Sequence, residues 1–196
     1  MYKLSALLLV LLLAGCSISA PQNAQYKKEY SARQDIRKQS LYQFMTKPVA
    51  AGGGRYWGSG DLAALFSVMD KQATSLELRF NYPAKSLEVS SRDAQNKTLR
   101  SKAFRLLDES AAKPADADNG YFYLTKDGQL VKNTRNCTPD MSVGCRWWNT
   151  KIFITGNGNL AVQHEEGGAG MMFLMIPVYG SNANFEVFPK APPSIK

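Results

Sequence analysis

The chain is expected to fold as an α+β, mainly β domain: an antiparallel meander, curved or partly closed, with an N-terminal helix and one short core helix. Three observations carry that expectation. From Leu76 onward apolar residues recur at period 2 rather than 3.6, the spacing of a strand with one buried face. Three pairs of apolar segments flank short runs rich in Gly, Asn, Asp and Ser, the composition of hairpin turns. Hydrophobic residues make up 44% and charged residues 20% of the 196 positions, which suits one packed domain and argues against disorder throughout.

The first sixteen residues are of another kind. Lys3 precedes an apolar run from Leu4 to Leu13, which Leu13-Ala14-Gly15-Cys16 closes. A charged start, a short apolar core and small residues at a cut site are the three parts of a secretory signal peptide. The run is shorter than the roughly 20 apolar residues that a membrane span needs. Leu-Ala-Gly followed by Cys16 also resembles the lipobox of bacterial lipoproteins. That resemblance implies a diacylglycerol thioether on Cys16, cleavage before it and an acylated amino terminus. Three acyl chains would anchor the protein stably. Ser17, not Asp, follows the cysteine, and in enterobacterial lipoproteins that resemblance implies sorting to the outer membrane, with the domain facing the periplasm. The expected divisions are a signal peptide over 1–15, a lipid-anchored tether with a basic helix over 16–50, and a globular mainly β domain over 51–196.

Ser17 to Gln25 is small and polar and reads as a flexible tether. From Tyr26 to Met45 there is no Gly or Pro, and Tyr26, Tyr30, Ile36, Leu41, Phe44 and Met45 form an imperfect helical stripe. A solvated helix packed on the domain is the preferred reading of this segment, with contact between its basic residues and anionic headgroups as the alternative. Lys47-Pro48 ends it, and Ala50 to Gly54 is a hinge or tight loop without the Lys-Ser/Thr of a phosphate loop. Asp61 is placed to cap a short core helix through Leu62, Leu65, Phe66 and Met69.

Leu76, Leu78 and Phe80 then alternate with Glu77 and Arg79, and Leu87 with Val89 predicts the next strand. Thr98 to Asp108 fits neither template, and Ala111 to Asn119 is a surface loop. Hairpins are expected about Lys126-Asp127-Gly128, about Gly156-Asn157-Gly158 and about Gly180-Ser181-Asn182-Ala183. The run Met171 to Ile176 is apolar on both pleat faces. It reads as a central strand covered on both sides, or, less favoured, as the lining of a pocket for an acyl chain.

The net charge of +8 would suggest nucleic acid in a cytosolic protein. Export makes that partner unsuitable, leaving phospholipid headgroups, lipopolysaccharide and peptidoglycan carboxylates, or a role in solubility alone. With Cys16 used by the anchor, Cys137 and Cys145 remain as an even pair, expected to form a structural disulfide in an oxidising compartment. No cofactor is called for, and neither a metal site nor a catalytic set is expected. His164-Glu165-Glu166 lacks the second histidine of His-Glu-x-x-His, and no Gly-x-Ser-x-Gly elbow accompanies it. His164 is read as a hydrogen-bonded or exposed strand residue. The Asp116/Asp118 and Glu165/Glu166 clusters are read as solvated surface.

Arg146-Trp147-Trp148 is the candidate partner contact. On a strand, adjacent indoles point to opposite faces, so one enters the core while the other meets a partner or covers the disulfide. The chain is therefore expected to be a membrane-anchored, non-catalytic binding or assembly component of a bacterial envelope. Its partners would be the membrane through Cys16, and envelope proteins, peptidoglycan or anionic lipid. A lipid- or small-molecule-binding barrel is the alternative, and a cell-wall hydrolase a more distant one.

Overall fold

The computed structural model describes residues 22–49, 58–114, 120–138, 144–172 and 176–192. Nine strands form one sheet in which spatial order follows chain order. They are β1 (Leu41–Met45), β2 (Ser75–Asn81), β3 (Ser86–Arg92), β4 (Thr98–Asp108), β5 (Tyr121–Leu124), β6 (Leu130–Thr138), β7 (Gly144–Ile154), β8 (Leu160–Met172) and β9 (Ile176–Phe188). Among the described residues the helices are few: α1 (Gln22–Ser31), a 3-10 turn (Ile36–Lys38) and α2 (Leu62–Leu65). The mainly β meander is as expected. The sheet is not closed into a barrel, because β9 pairs only with β8. Among the described residues its two ends are tied by the bridge from Phe44 to Lys190, flanked by Met45 N–H to the Pro189 carbonyl and Ala191 N–H to the Gln43 carbonyl, and by Val49 N–H to the Val187 carbonyl at 2.8 Å.

The expected helix over Tyr26 to Met45 is corrected. Helix α1 stops at Ser31, the Asp35 carboxylate accepts the Arg37 N–H at 2.8 Å to start the 3-10 turn, and the chain then enters β1. Within β1, Tyr42 and Phe44 are buried while Leu41 is exposed, so period 2 governs this stretch. Residues 41–45 and the fully buried Ile36 thus belong to the sheet and its core rather than to a tether before the domain. Asp61 caps α2 as expected, its side chain accepting the Ala63 N–H at 2.9 Å. That helix is only four residues long, and Met69 lies outside it and is exposed.

Leu76, Leu78 and Phe80 point into the core from β2, as do Leu87 and Val89 from β3. Glu77 is nearly buried on the other face, held by Arg79 at 2.8 Å and Arg92 at 2.9 Å. The ambiguous stretch Thr98 to Asp108 is strand β4, which reaches the core only through Phe104 and Leu106. Its pairing with β5 is parallel, unlike every other pair in the meander. The connection from Glu109 to Gly120 is long enough to bring the chain back to the starting end before β5, as a parallel pair requires.

Two hairpins turn where expected. Gly128 and Gly158 have φ of +70° and +80°, and their N–H groups bond to the carbonyls of Thr125 and Thr155 at 3.0 Å. The third is corrected. Gly180 to Ala183 lie within β9, paired with Gly168 to Glu165 of β8. Met172 pairs with Ile176, and residues 173–175 lie outside the described residues. The run Met171 to Ile176 therefore ends one strand and begins the next instead of forming a central strand. Turn-forming residues yield here because Phe185 and Phe188, both buried, fix the register of β9 from its other end.

Candidate functional site

The two faces of β5–β9 differ. On the inner face Leu130, Ile152, Leu160 and Val162 join the main core. On the outer face Phe153, Ala161 and Phe185 form a separate cluster against Tyr26 and Tyr30 of α1. Aromatic contacts set that helix in place: Tyr30 meets Phe153 edge-on at 5.5 Å, and Tyr26 meets Phe185 at 5.8 Å. Polar contacts lock its end. Gln129 Nε2 donates to the Tyr30 hydroxyl at 2.9 Å, the Arg33 guanidinium sits 4.1 Å over the Tyr30 ring, and Gln34 N–H donates to the Ile154 carbonyl at 2.8 Å. Burial, reinforced by the neighbouring Tyr30, pushes the Tyr26 hydroxyl up to about 12, so it stays neutral.

Beyond Tyr30 the outer face opens into a groove of about 820 Å³. It is lined by aromatic Tyr30, Tyr123 and Trp147 and by half-buried Asn149, with exposed Asn133, Lys113 and Arg135 and half-buried Lys151 forming the rim. Cross-strand register assembles it: Arg135 pairs with Trp147, Asn133 with Asn149 and Val131 with Lys151. Trp147, Asn149 and Lys151 alternate along β7 and so share one face. Asn149 Oδ1 is buried without a hydrogen-bond partner, a deficit that ordinarily costs about 1–3 kcal/mol.

Trp147 lies over Gly167, where any Cβ would fall inside the indole, and its ring centroid is 5.7 Å from that of Tyr179. Trp148 also borders the groove, but its cross-strand partners Thr134 and Glu166 place it on the opposite face. There it lines a shallower hollow with Arg146, Glu166 and Asn182. The adjacent indoles thus part to opposite faces. Cys137 and Cys145 are disulfide-bonded and directly paired across β6 and β7. It is Arg135, 3.4 Å from Cys145 Sγ, that lies against that bridge. Cys16 is outside the described residues.

The inner face carries a cross-strand row of Lys132, Thr150, His164 and Asn184. His164 Nδ1 is 3.0 Å from Thr150 Oγ1. Burial lowers the imidazole below its ordinary value, with Glu166 opposing. Burial also lowers Lys132, and Lys102 adds to the effect. Among the described residues no group of three or more His, Cys, Asp or Glu side chains is placed to hold a metal ion.

Of the residues singled out in the sequence, the groove takes Trp147 at its centre and Trp148 at its border, while Arg146 lies in the other hollow. Tyr30, Tyr123, Asn149 and Lys151 were not singled out. The alternation Trp147-Asn149-Lys151 was the available signal for two of them. Tyr30 and Tyr123 come from distant elements and carry no such signal. No family model matches the chain, and no curated protein and no solved structure is detectably similar to it.

Proposed function

We propose that this is a lipid-anchored lipoprotein of a bacterial envelope, held through Cys16, that acts as a non-catalytic binding component. The observation that carries the reading is the outer-face groove, whose lining combines the aromatic rings of Tyr30, Tyr123 and Trp147 with a buried, unpartnered Asn149 oxygen. Aromatic walls with a few fixed polar groups are the usual make-up of a recognition site. The arrangement supports binding rather than chemistry: the only histidine is turned to the inner face, hydrogen-bonded to Thr150. The mixed polar lining also suits a partner with hydroxyls and charges better than an acyl chain.

Two measurements test this. Metabolic labelling with a palmitate analogue should mark the wild-type chain and not Cys16→Ala, and the variant should leave the membrane fraction. A photo-crosslinking residue at Asn133 should capture a partner in intact cells, and substitution of Trp147 by Ala should abolish the adduct. Unlabelled wild-type protein would end the anchored reading, and absence of any adduct would end the binding reading.

A further inference from the structure

The charges around the groove are not balanced. Of its two carboxylates, Asp127 pairs with Arg33 at 3.2 Å, while Glu109 accepts the neutral Lys126 N–H at 3.3 Å and keeps its charge. Three cations face that one carboxylate. Among the described residues Lys113 and Lys151 have no ion-pair partner, and Arg135 has only the Cys145 sulfur. Within that positive rim, Asn149 Oδ1 needs a donor. Trp147, packed on Gly167 and beside Tyr179, also lines the groove. Trp147 and Lys151 are four residues apart on one strand, roughly 14 Å at ~3.4 Å per residue, so a stacking point and a charge point are separated by more than one sugar ring.

We infer that the groove binds an acidic glycan, a chain of N-acetylated amino-sugar pyranoses that bears carboxylates on its branches, as cell-wall glycan does. The inference rests on the reading of the groove as the binding surface of an envelope protein. The apolar C–H face of one ring stacks on Trp147, as flat apolar groups do on aromatics. A hydroxyl or acetamido N–H donates to Asn149 Oδ1. Carboxylates meet Lys113, Lys151 and Arg135 at the rim, where attraction falls with added salt. An anionic lipid would satisfy the rim and leave the buried acceptor and the aromatic walls without a role.

The test uses the full chain in detergent micelles, titrated with three probes: soluble muramic-acid-containing glycan oligomers, neutral chito-oligosaccharide of equal length, and phosphatidylglycerol vesicles. The acidic oligomer should bind about tenfold tighter than the neutral one, a difference of two rim charges, and the gap should narrow in high salt. Trp147→Ala and the pair Lys113→Ala/Lys151→Ala should each weaken it by about tenfold. Arg100→Ala, a cation outside the groove that pairs with Asp70, should leave affinity within about twofold. Equal affinity for acidic and neutral chains, or binding to vesicles alone, overturns the inference. The crosslinker at Asn133 separates the two levels. A protein adduct without glycan binding defeats the glycan assignment and keeps the groove as a binding surface; neither adduct nor glycan binding removes both.

Discussion

Gly128 and Gly158 occupy equivalent places in two hairpins, with φ of +70° and +80°, yet their surroundings differ. A Cβ on Gly158 would meet nothing within 4 Å, whereas one on Gly128 would come within 2.8 Å of Asp35 Cα and would overlap its carboxylate. Alanine at either position costs about 1–2 kcal/mol for a left-handed backbone. At 128 the collision adds about 1–3 kcal/mol of overpacking. Asp35 has little freedom to yield, because its carboxylate accepts the Arg37 N–H at 2.8 Å and the Arg37 guanidinium at 2.6 Å, and Arg37 also donates to the Lys126 carbonyl. The same guanidinium holds the Asp35 carboxyl below its usual range. Gly158→Ala should therefore lose about 1–2 kcal/mol and Gly128→Ala about 2–5 kcal/mol. Urea unfolding read as a midpoint shift at constant slope measures both. Adding Asp35→Ala to Gly128→Ala should cost less than the two single losses combined, because the carboxylate part of the collision is gone. Equal losses at 128 and 158 would refute the argument, since the turn alone would then account for both.

Replacing Cys137 and Cys145 together with Ser should lower stability by about 2–3 kcal/mol, the entropy of so short a loop; a loss near zero would show that the cross-strand register holds without the bond. Gly167→Val should push the Trp147 indole off the sheet at a cost of about 1–3 kcal/mol, whereas in a Trp147→Ala background the same substitution should be nearly neutral. Denaturation of the two pairs decides it. His164 supplies a pH dependence. Its folded value lies below the ordinary 6.5, so the unfolded chain takes up the proton first. Its contribution is complete above about 6.5 and is lost as pH falls below that. The stability difference between wild type and His164→Gln should shrink on acidification through this window, and growth instead of shrinkage would contradict the assigned burial.

What was legible in the sequence was local. The turns at 126–128 and 156–158 announce themselves because only glycine sits easily at their positive φ. Alternation over Leu76 to Phe80 shows its buried face directly. The helix over Tyr26 to Met45 was overextended because Leu41, Phe44 and Met45 fit a helical stripe, while Tyr42 and Phe44, the pair that enters the core, fit a strand. Gly180-Ser181-Asn182 has turn chemistry, but register with β8 is a property of two segments and cannot be read from one. The groove shows the same limit. Trp147 stood out by its side chain alone; its partners Tyr30 and Tyr123 become neighbours only after α1 docks and β5 joins β6.

The bridge from Phe44 to Lys190 bears on how the chain folds. Synthesis delivers β1 before the other strands and residues 189–191 after β9, so the outer edge of the first strand stays open until all nine strands have emerged. Contacts of such long sequence separation make folding slow, typically milliseconds to seconds. Throughout that interval the exposed rim of β1 is a template for pairing with other chains. The last described residues thus serve as a latch, and a chain that has made every other strand remains prone to aggregate until they arrive.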